Sequence, residues 1–336
     1  MRIAENKVLD SIIFSLLSLG FAFLINRGFF IIDSVVGNEY LQIREATQFN
    51  ELGRLGHRFL TPVLSKIFPS IFLFNIFILF FWLYSLAFNL YEKYSRLNIL
   101  LILISVSSAL PVIFTLNFGN YPDPLTIFIS TTMIFIQKNK KIFYLLAFLL
   151  VINNEIGLFL ILFFLLISKN LKKDLLAFAV IGIAYYIFRK NFIYFTEVNQ
   201  SSIESYISQI SDINLNFFLI FGFFTGLKFL FLLIVFSNNK FKIVTYYLFF
   251  LIFAFNMAVD YSRYSSLLVF TIIFILYEKK DNKKINFTLI VIFVIFLNIV
   301  TPKYYVWDTN ILYLRDSKIH FIDILGKNFS ERYLIP

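Results

Sequence analysis

The chain contains no cysteine and only two histidines, His57 and His320. Disulfides, thiol catalysis and cysteine-based metal sites are therefore excluded, and so is a histidine-rich metal centre. Glycine (11) and proline (7) are scarce in 336 residues. A flexible linker between soluble domains draws on such residues, so one domain is expected. No internal repeat is visible, which weighs against a carrier built from duplicated halves. The first apolar run lacks a small-residue cleavage site. It also follows a segment with as many acids (Glu5, Asp10) as bases (Arg2, Lys7). It reads as a retained anchor rather than a cleaved signal peptide.

What is abundant is apolar. Hydrophobic residues make up 59% of the chain and mean hydropathy is +0.80, far from the values of a soluble domain. The 47 Phe, with many Ile, Asn and Lys, match the bias of an AT-rich genome and are not read as a binding surface. Runs at 11–32, 71–91, 98–116, 217–236, 243–259 and 285–300 are each long enough, or nearly so, to cross a hydrocarbon core of about 30 Å. Shorter runs lie at 124–137, 142–153, 157–168, 175–188 and 264–277. The expected architecture is all-α: a polytopic transmembrane bundle of about eleven passes with the N-terminus cytoplasmic. Residues 1–300 form the membrane domain, with an external loop at 33–70. Residues 301–336 form a short external tail, which has too little core to fold alone and should pack on the membrane body.

Charge orients this threading. The short links collect Lys93, Arg96, Lys138, Lys140, Lys141, Lys169, Lys172, Lys173, Lys240, Lys242, Lys279, Lys280, Lys283 and Lys284 on one face. With Arg2 and Lys7 these are 16 basic residues, against 6 acids (Glu5, Asp10, Glu92, Asp174, Glu278, Asp281). Elsewhere the signs balance, so the net +10 sits on one face, as cytoplasmic loops require. Topology and anionic lipid account for the basic charge, and nucleic acid is not needed as a partner.

The stretch 142–168 has Asn153-Asn154-Glu155 at its centre and lysines at both ends. A single tilted helix would bury a carboxylate at mid-bilayer and split the lysines between faces. Two half-length helices meeting at the Asn-Asn-Glu turn keep the lysines together, with the polar side chains satisfying the broken backbone. The hairpin is therefore expected.

The opposite face holds Asp33, Glu39, Glu45, His57, Arg58, Asp123, Glu155, Asp260 and Arg263. A carboxylate such as Glu39 or Asp33 just beyond the first helix is partly desolvated, which strengthens it as a general base. Arg58, beside His57, is held toward that base or toward an anionic substrate. Glu45 and Glu51 read as ordinary interfacial charges. Asp123, between Pro122 and Pro124, has the local chemistry of a turn or helix N-cap. Glu155 is an intramembrane carboxylate and calls for a partner or a task. Asp260 and Arg263 are spaced for a local ion bridge, or Arg263 turns inward as a bidentate phosphate ligand. Lys228 lies too deep to snorkel and should find an anion, either a phosphate or a carboxylate such as Glu155. Trp82 and Trp307 read as interface anchors.

In order along the chain, these motifs resemble the multipass glycosyltransferases of the GT-C type. Asn38-Glu39-Tyr40-Leu41 follows the first helix, and Arg58-Phe59-Leu60-Thr61-Pro62 comes next. Tyr121-Pro122-Asp123-Pro124 opens a later helix, Asn153-Asn154-Glu155 lies in a membrane hairpin, and Asp260 with Arg263 closes a late turn. The resemblance implies an inverting, bacterial inner-membrane enzyme of the cell envelope with an outward-facing site. It would take its sugar from a polyprenyl-phosphate donor and pass it to a glycan, lipid or protein acceptor. Glu39 or Asp33 would be the base, and His57, Arg58, Asp123, Glu155, Lys228, Asp260 and Arg263 would bind substrate. No ligand cluster demands a metal, and a divalent ion stays open beside the polyprenyl-phosphate sugar. This chain has Glu where the family more often has Asp, and its small C-terminal tail departs from members with a large soluble domain there. Two other classes remain open: a polysaccharide polymerase or O-antigen ligase, and a multipass transporter or flippase.

Overall fold

A computed structural model describes residues 2–26, 35–47, 58–196, 237–257, 266–278, 287–300, 304–307 and 310–313. The helices are α1 (Arg2–Ile25), α2 (Val35–Glu45), α3 (Leu60–Leu64, followed by a 3₁₀ turn at Ser65–Ile67), α4 (Ile71–Leu90), α5 (Arg96–Ser107), α6 (Leu110–Asn117) and α7 (Asp123–Phe135). They continue with α8 (Lys140–Asn153), α9 (Gly157–Ile167), α10 (Leu171–Thr196), α11 (Lys240–Met257), α12 (Val269–Glu278) and α13 (Phe287–Val300). The described tail adds the only departure from helix, an antiparallel hairpin of β1 (Tyr304–Trp307) and β2 (Asn310–Tyr313), with Tyr304 opposite Tyr313. Asn6–Ile25 and Ile71–Leu90 are long and apolar enough to cross a membrane; α5 and α6 make a third such span if the bent pair is counted as one. Helices α7, α9, α12 and α13 are apolar but shorter.

The outer helices have the polarity of a chain that faces lipid. On α1, Ser11, Ser15, Ser18 and Ala22 recur at spacings of three and four and are fully buried, on the helix that packs against α4 and α5. Ser11 and Ser15 each donate to the carbonyl four residues back, at 2.7 and 2.6 Å, so their hydroxyls spend no hydrogen-bonding capacity on the neighbours. Small residues let helices approach closely where solvent gives no hydrophobic drive to do so. The large side chains of α1 point outward: Leu9, Leu16, Leu17 and Leu24, the last 74% exposed. Such a continuous apolar surface is foreign to a water-soluble monomer.

Helix α4 is central. Ser70 caps it, accepting from the Leu73 N–H at 3.1 Å, and it packs on α1, α5 and α7. Trp82, read from the sequence as an interface anchor, is instead fully buried in the middle of α4. Its indole N–H donates to Thr131 on α7 at 3.0 Å. Helix α12 lies deepest, with every residue from Val269 to Leu276 at most 2% exposed. Phe270 and Phe274 pack edge-on against Phe163 of α9, with ring centroids 5.1 and 5.2 Å apart.

Two breaks shape the bundle. The run 98–116, expected as one span, bends by 51° between α5 and α6. Pro111 sits in the first turn of α6, where it offers no N–H and its ring excludes a carbonyl four residues back. The second break is the expected one. Asn154 is extended (φ −160°, ψ 128°) between α8 and α9. Phe143, early in α8, meets Phe164, late in α9, at 5.4 Å, so the two helices run back along each other. Helix α10, in contrast, runs to Thr196, eight residues past the apolar run that ends at 188.

The lysine-rich links converge at one end of the bundle. Lys7 reaches Glu92 at 3.3 Å, and Arg96 and Tyr91 both bind Asp10 at 2.7 Å. Tyr94 donates to the Leu276 carbonyl at 2.7 Å, Asn239 donates to Glu278 at 2.7 Å, and Lys140 pairs with Asp174 at 2.8 Å. Phe135, at the end of α7 just before the link to α8, packs on Tyr277 of α12 at 5.1 Å. The starts of α1, α5, α8, α10 and α11 and the ends of α4 and α12 therefore share this basic end; the lysines at 279–284 lie outside the described residues.

Candidate functional site

The far end of the bundle is assembled by buried amides. Asn75, one turn into α4, donates to the carbonyls of Gly119 and Tyr121, both at 2.7 Å. This ties down the turn between α6 and α7, whose backbone would otherwise lack partners in an apolar setting. Gly119 lies under Phe72; a Cβ there would sit 2.2 Å from the ring. Asn117 and Asn26 exchange a side-chain hydrogen bond at 3.3 Å, joining the ends of α6 and α1.

Asn153, at the end of α8, is the hub. Its Nδ2 donates to the Pro122 carbonyl at 3.0 Å and to Thr126 at 2.9 Å. Its Oδ1 accepts from the backbone and hydroxyl of Thr61 at 3.1 and 2.7 Å. The side chain is fully buried and all its hydrogen-bonding positions are used. One residue thus locks α3, the Tyr121–Pro124 step and the α8–α9 turn together.

That lock brings Glu155 to Arg58. The guanidinium Nε and Nη2 each bind one oxygen of Glu155, a two-pronged ion pair, and Nη1 donates to the Tyr40 hydroxyl at 3.1 Å. The two side chains are 11% and 25% exposed, so the pair is screened from solvent far more than a surface pair. Tyr40 is fully buried beside Tyr121, with centroids 6.1 Å apart. From α10, Phe188 packs on Phe59 at 6.0 Å, and Tyr185 stands within electrostatic range of the pair and of Arg189. The Arg189 Nε is buried with no hydrogen-bond partner among the described residues.

Of the site residues expected from sequence, Arg58 and Glu155 are joined directly. The guanidinium fork is occupied by the Glu155 carboxylate, and its third nitrogen by the Tyr40 hydroxyl. Glu155 pairs with Arg58; Lys228, the partner offered on sequence grounds, is not among the described residues. Glu39 precedes Tyr40 on α2 and is half-buried, while Glu45 is exposed. Asp123 is 2% exposed and is the first residue of α7 rather than its N-cap, a position held by Pro122. Asp33, His57, Lys228, Asp260 and Arg263 lie outside the described residues. Among the described residues no three acidic or histidine side chains gather in a metal-ligating group. Tyr185 and Arg189 were not singled out from sequence. A signal for Arg189 was available, since an arginine directly after the apolar run 175–188 sits at a helix end. Comparison with protein-family models, curated proteins and solved structures returns no match.

Proposed function

We propose that the chain is a multipass, inner-membrane glycosyltransferase of about eleven passes. It moves a sugar from a polyprenyl-phosphate donor to an acceptor at the face opposite the lysine-rich links, which lie inside. The observation that carries this reading is the convergence of Tyr40, Arg58 and Glu155, with buried Asp123 nearby in the fold, at the end of the bundle remote from the basic links.

The chemistry needs a base at the acceptor and cations at the leaving phosphate. Glu39, or Asp33 before it, takes the proton of the acceptor hydroxyl. The hydroxyl oxygen attacks the anomeric carbon, the bond from that carbon to the donor phosphate breaks with inversion, and the polyprenyl phosphate departs with the negative charge. Arg263, Lys228 and His57 serve as donor-binding groups. Arg58 contributes through a position held by Glu155 and Tyr40.

The test is turnover of Glu39→Gln and Asp33→Asn with a polyprenyl-phosphate sugar. Loss of the base lowers turnover about 10²–10⁴-fold with donor retention and protein yield unchanged. A dead Asp33→Asn beside an active Glu39→Gln moves the base one turn toward the first helix. Full activity in both removes the mechanism and brings the transporter reading forward.

A further inference from the structure

A large concavity lies at the other end of the molecule, where the proposed chemistry has no use for it. It is a groove of about 820 Å³ between α8 and α10, walled by Leu145, Phe148, Ala177 and Val180 with Lys173 at one end. Helices α8 and α10 both start at the basic end and run side by side, so the groove opens at that end and descends between them.

Its polarity changes with depth. At the mouth stand Lys173 and Asn170, both exposed. The one acid there, Asp174, is 1% exposed and already spoken for. Lys140 donates to its two oxygens at 3.0 and 2.8 Å, and Tyr144 and Ser168 each donate at 2.6 Å. Asp174 and Lys140 cancel, which leaves Lys173 as the net charge of the mouth, with Lys169 and Lys172 exposed nearby. Below, the walls are wholly apolar. Leu145, Leu176 and Val180 are more than half exposed and Phe148 somewhat less, over a floor that includes Ile181. From Lys173 to Val180 is seven residues, about 10 Å of helix. A cationic rim over a narrow apolar cleft is complementary to an amphiphile with an anionic head and a hydrocarbon tail.

We propose that the α8–α10 groove binds one anionic phospholipid of the leaflet at the basic end. Its phosphate lies at Lys173 and Asn170, and one acyl chain lies along Leu145, Phe148, Leu176 and Val180. The groove buttresses the side of the α8–α9 hairpin whose tip carries Asn153 and Glu155, so the bound chain supports that hairpin from the lipid side.

The experiment is native mass spectrometry of the full chain, released from detergent after incubation with an equimolar mixture of phosphatidylglycerol and phosphatidylcholine. One phosphatidylglycerol is retained in preference to phosphatidylcholine. Lys173→Gln weakens that retention about fivefold, and Lys138→Gln, an equal loss of charge on an exposed link outside the groove, leaves it unchanged. Ala177→Trp, which fills the groove, abolishes retention. Val180→Trp, at a half-exposed position, does the same and serves if the first variant fails to fold. Millimolar inorganic phosphate does not displace the lipid, because the tail contributes most of the contact. Three results overturn the proposal: equal losses in Lys173→Gln and Lys138→Gln, displacement by free phosphate, or retention of lipid by a folded tryptophan variant.

Discussion

Arg58 and Glu155 are 97 residues apart in the chain and meet as a two-pronged ion pair, each carboxylate oxygen on its own guanidinium nitrogen. The pair closes the α2–α3 segment onto the tip of the α8–α9 hairpin, and the Tyr40 hydroxyl completes the fork. Removing one partner leaves the other charge poorly solvated. Glu155→Leu and Arg58→Met alone should each destabilise the protein by about 3–5 kcal/mol, while the double variant should lie well above either single one. Unfolding measured as a double-mutant cycle in one detergent checks this. Singles costing under about 1 kcal/mol would mean that the pair behaves as a solvated surface bridge.

Asn153→Asp is a test of the amide hub. The carboxylate still accepts from Thr61 but cannot donate to the Pro122 carbonyl or to Thr126. The expected cost is about 1–3 kcal/mol for the buried acceptor left unmet, with a further penalty from the buried charge. Thermal unfolding reads it, and an Asn153→Asp variant as stable as the parent would show that water enters the hairpin tip.

Two glycines should respond in opposite ways to alanine. At Gly157 a Cβ would fall 2.8 Å from the Leu150 carbonyl oxygen and 2.9 Å from its carbon, both backbone atoms that cannot step aside. Gly157→Ala should therefore open the hairpin and cost about 1–3 kcal/mol. At Gly182 the nearest atom is a Leu158 methyl at 3.9 Å, so Gly182→Ala should gain up to about 1 kcal/mol from helix propensity. Melting curves of the two variants side by side decide it; a destabilised Gly182→Ala would mean that α10 packs more tightly on α9 than these distances allow.

The absence of native cysteine makes topology directly measurable. Single cysteines at Asn139 and Asn170, both beside the basic end, should react with an impermeant maleimide only when the cytoplasmic side is open. One at Asn38, exposed on α2, should react only from the other side. Labelling of positions 139 and 170 from opposite sides is incompatible with the hairpin.

The sequence was most informative where a local conflict had a single resolution. Asn153-Asn154-Glu155 inside an apolar stretch, with lysines at both ends, admits only a doubled-back chain if the lysines stay together, and Phe143 on Phe164 shows it. The gathering of the links at one end was equally legible, because loop charge reports topology without reference to packing. The bend before α6 was written in Pro111, but the uninterrupted hydropathy of 98–116 concealed it. The extension of α10 to Thr196 leaves no trace in hydropathy, since polar residues follow 188. The partnership of Arg58 with Glu155 carries no local signature at all: side chains 97 residues apart find each other through the fold, here through Asn153 and Thr61. Trp82 was misread because tryptophan in an apolar run suggests a membrane boundary, whereas a hydroxyl at Thr131 allows it to lie fully inside.

Helices α12 and α10 differ in what substitutions they can accumulate over generations. Each side chain of α12 from Val269 to Leu276 is enclosed on every side, so a change of volume at any position disturbs a neighbour and must be matched by a compensating change elsewhere. Around α10, Leu175, Ile183, Tyr186 and Ile187 face outward away from the groove and can be exchanged for almost any apolar residue without such a match, while Phe178, Ile181 and Tyr185 cannot. Divergence between this chain and its relatives should therefore concentrate on the outward stripe of α10 and spare α12.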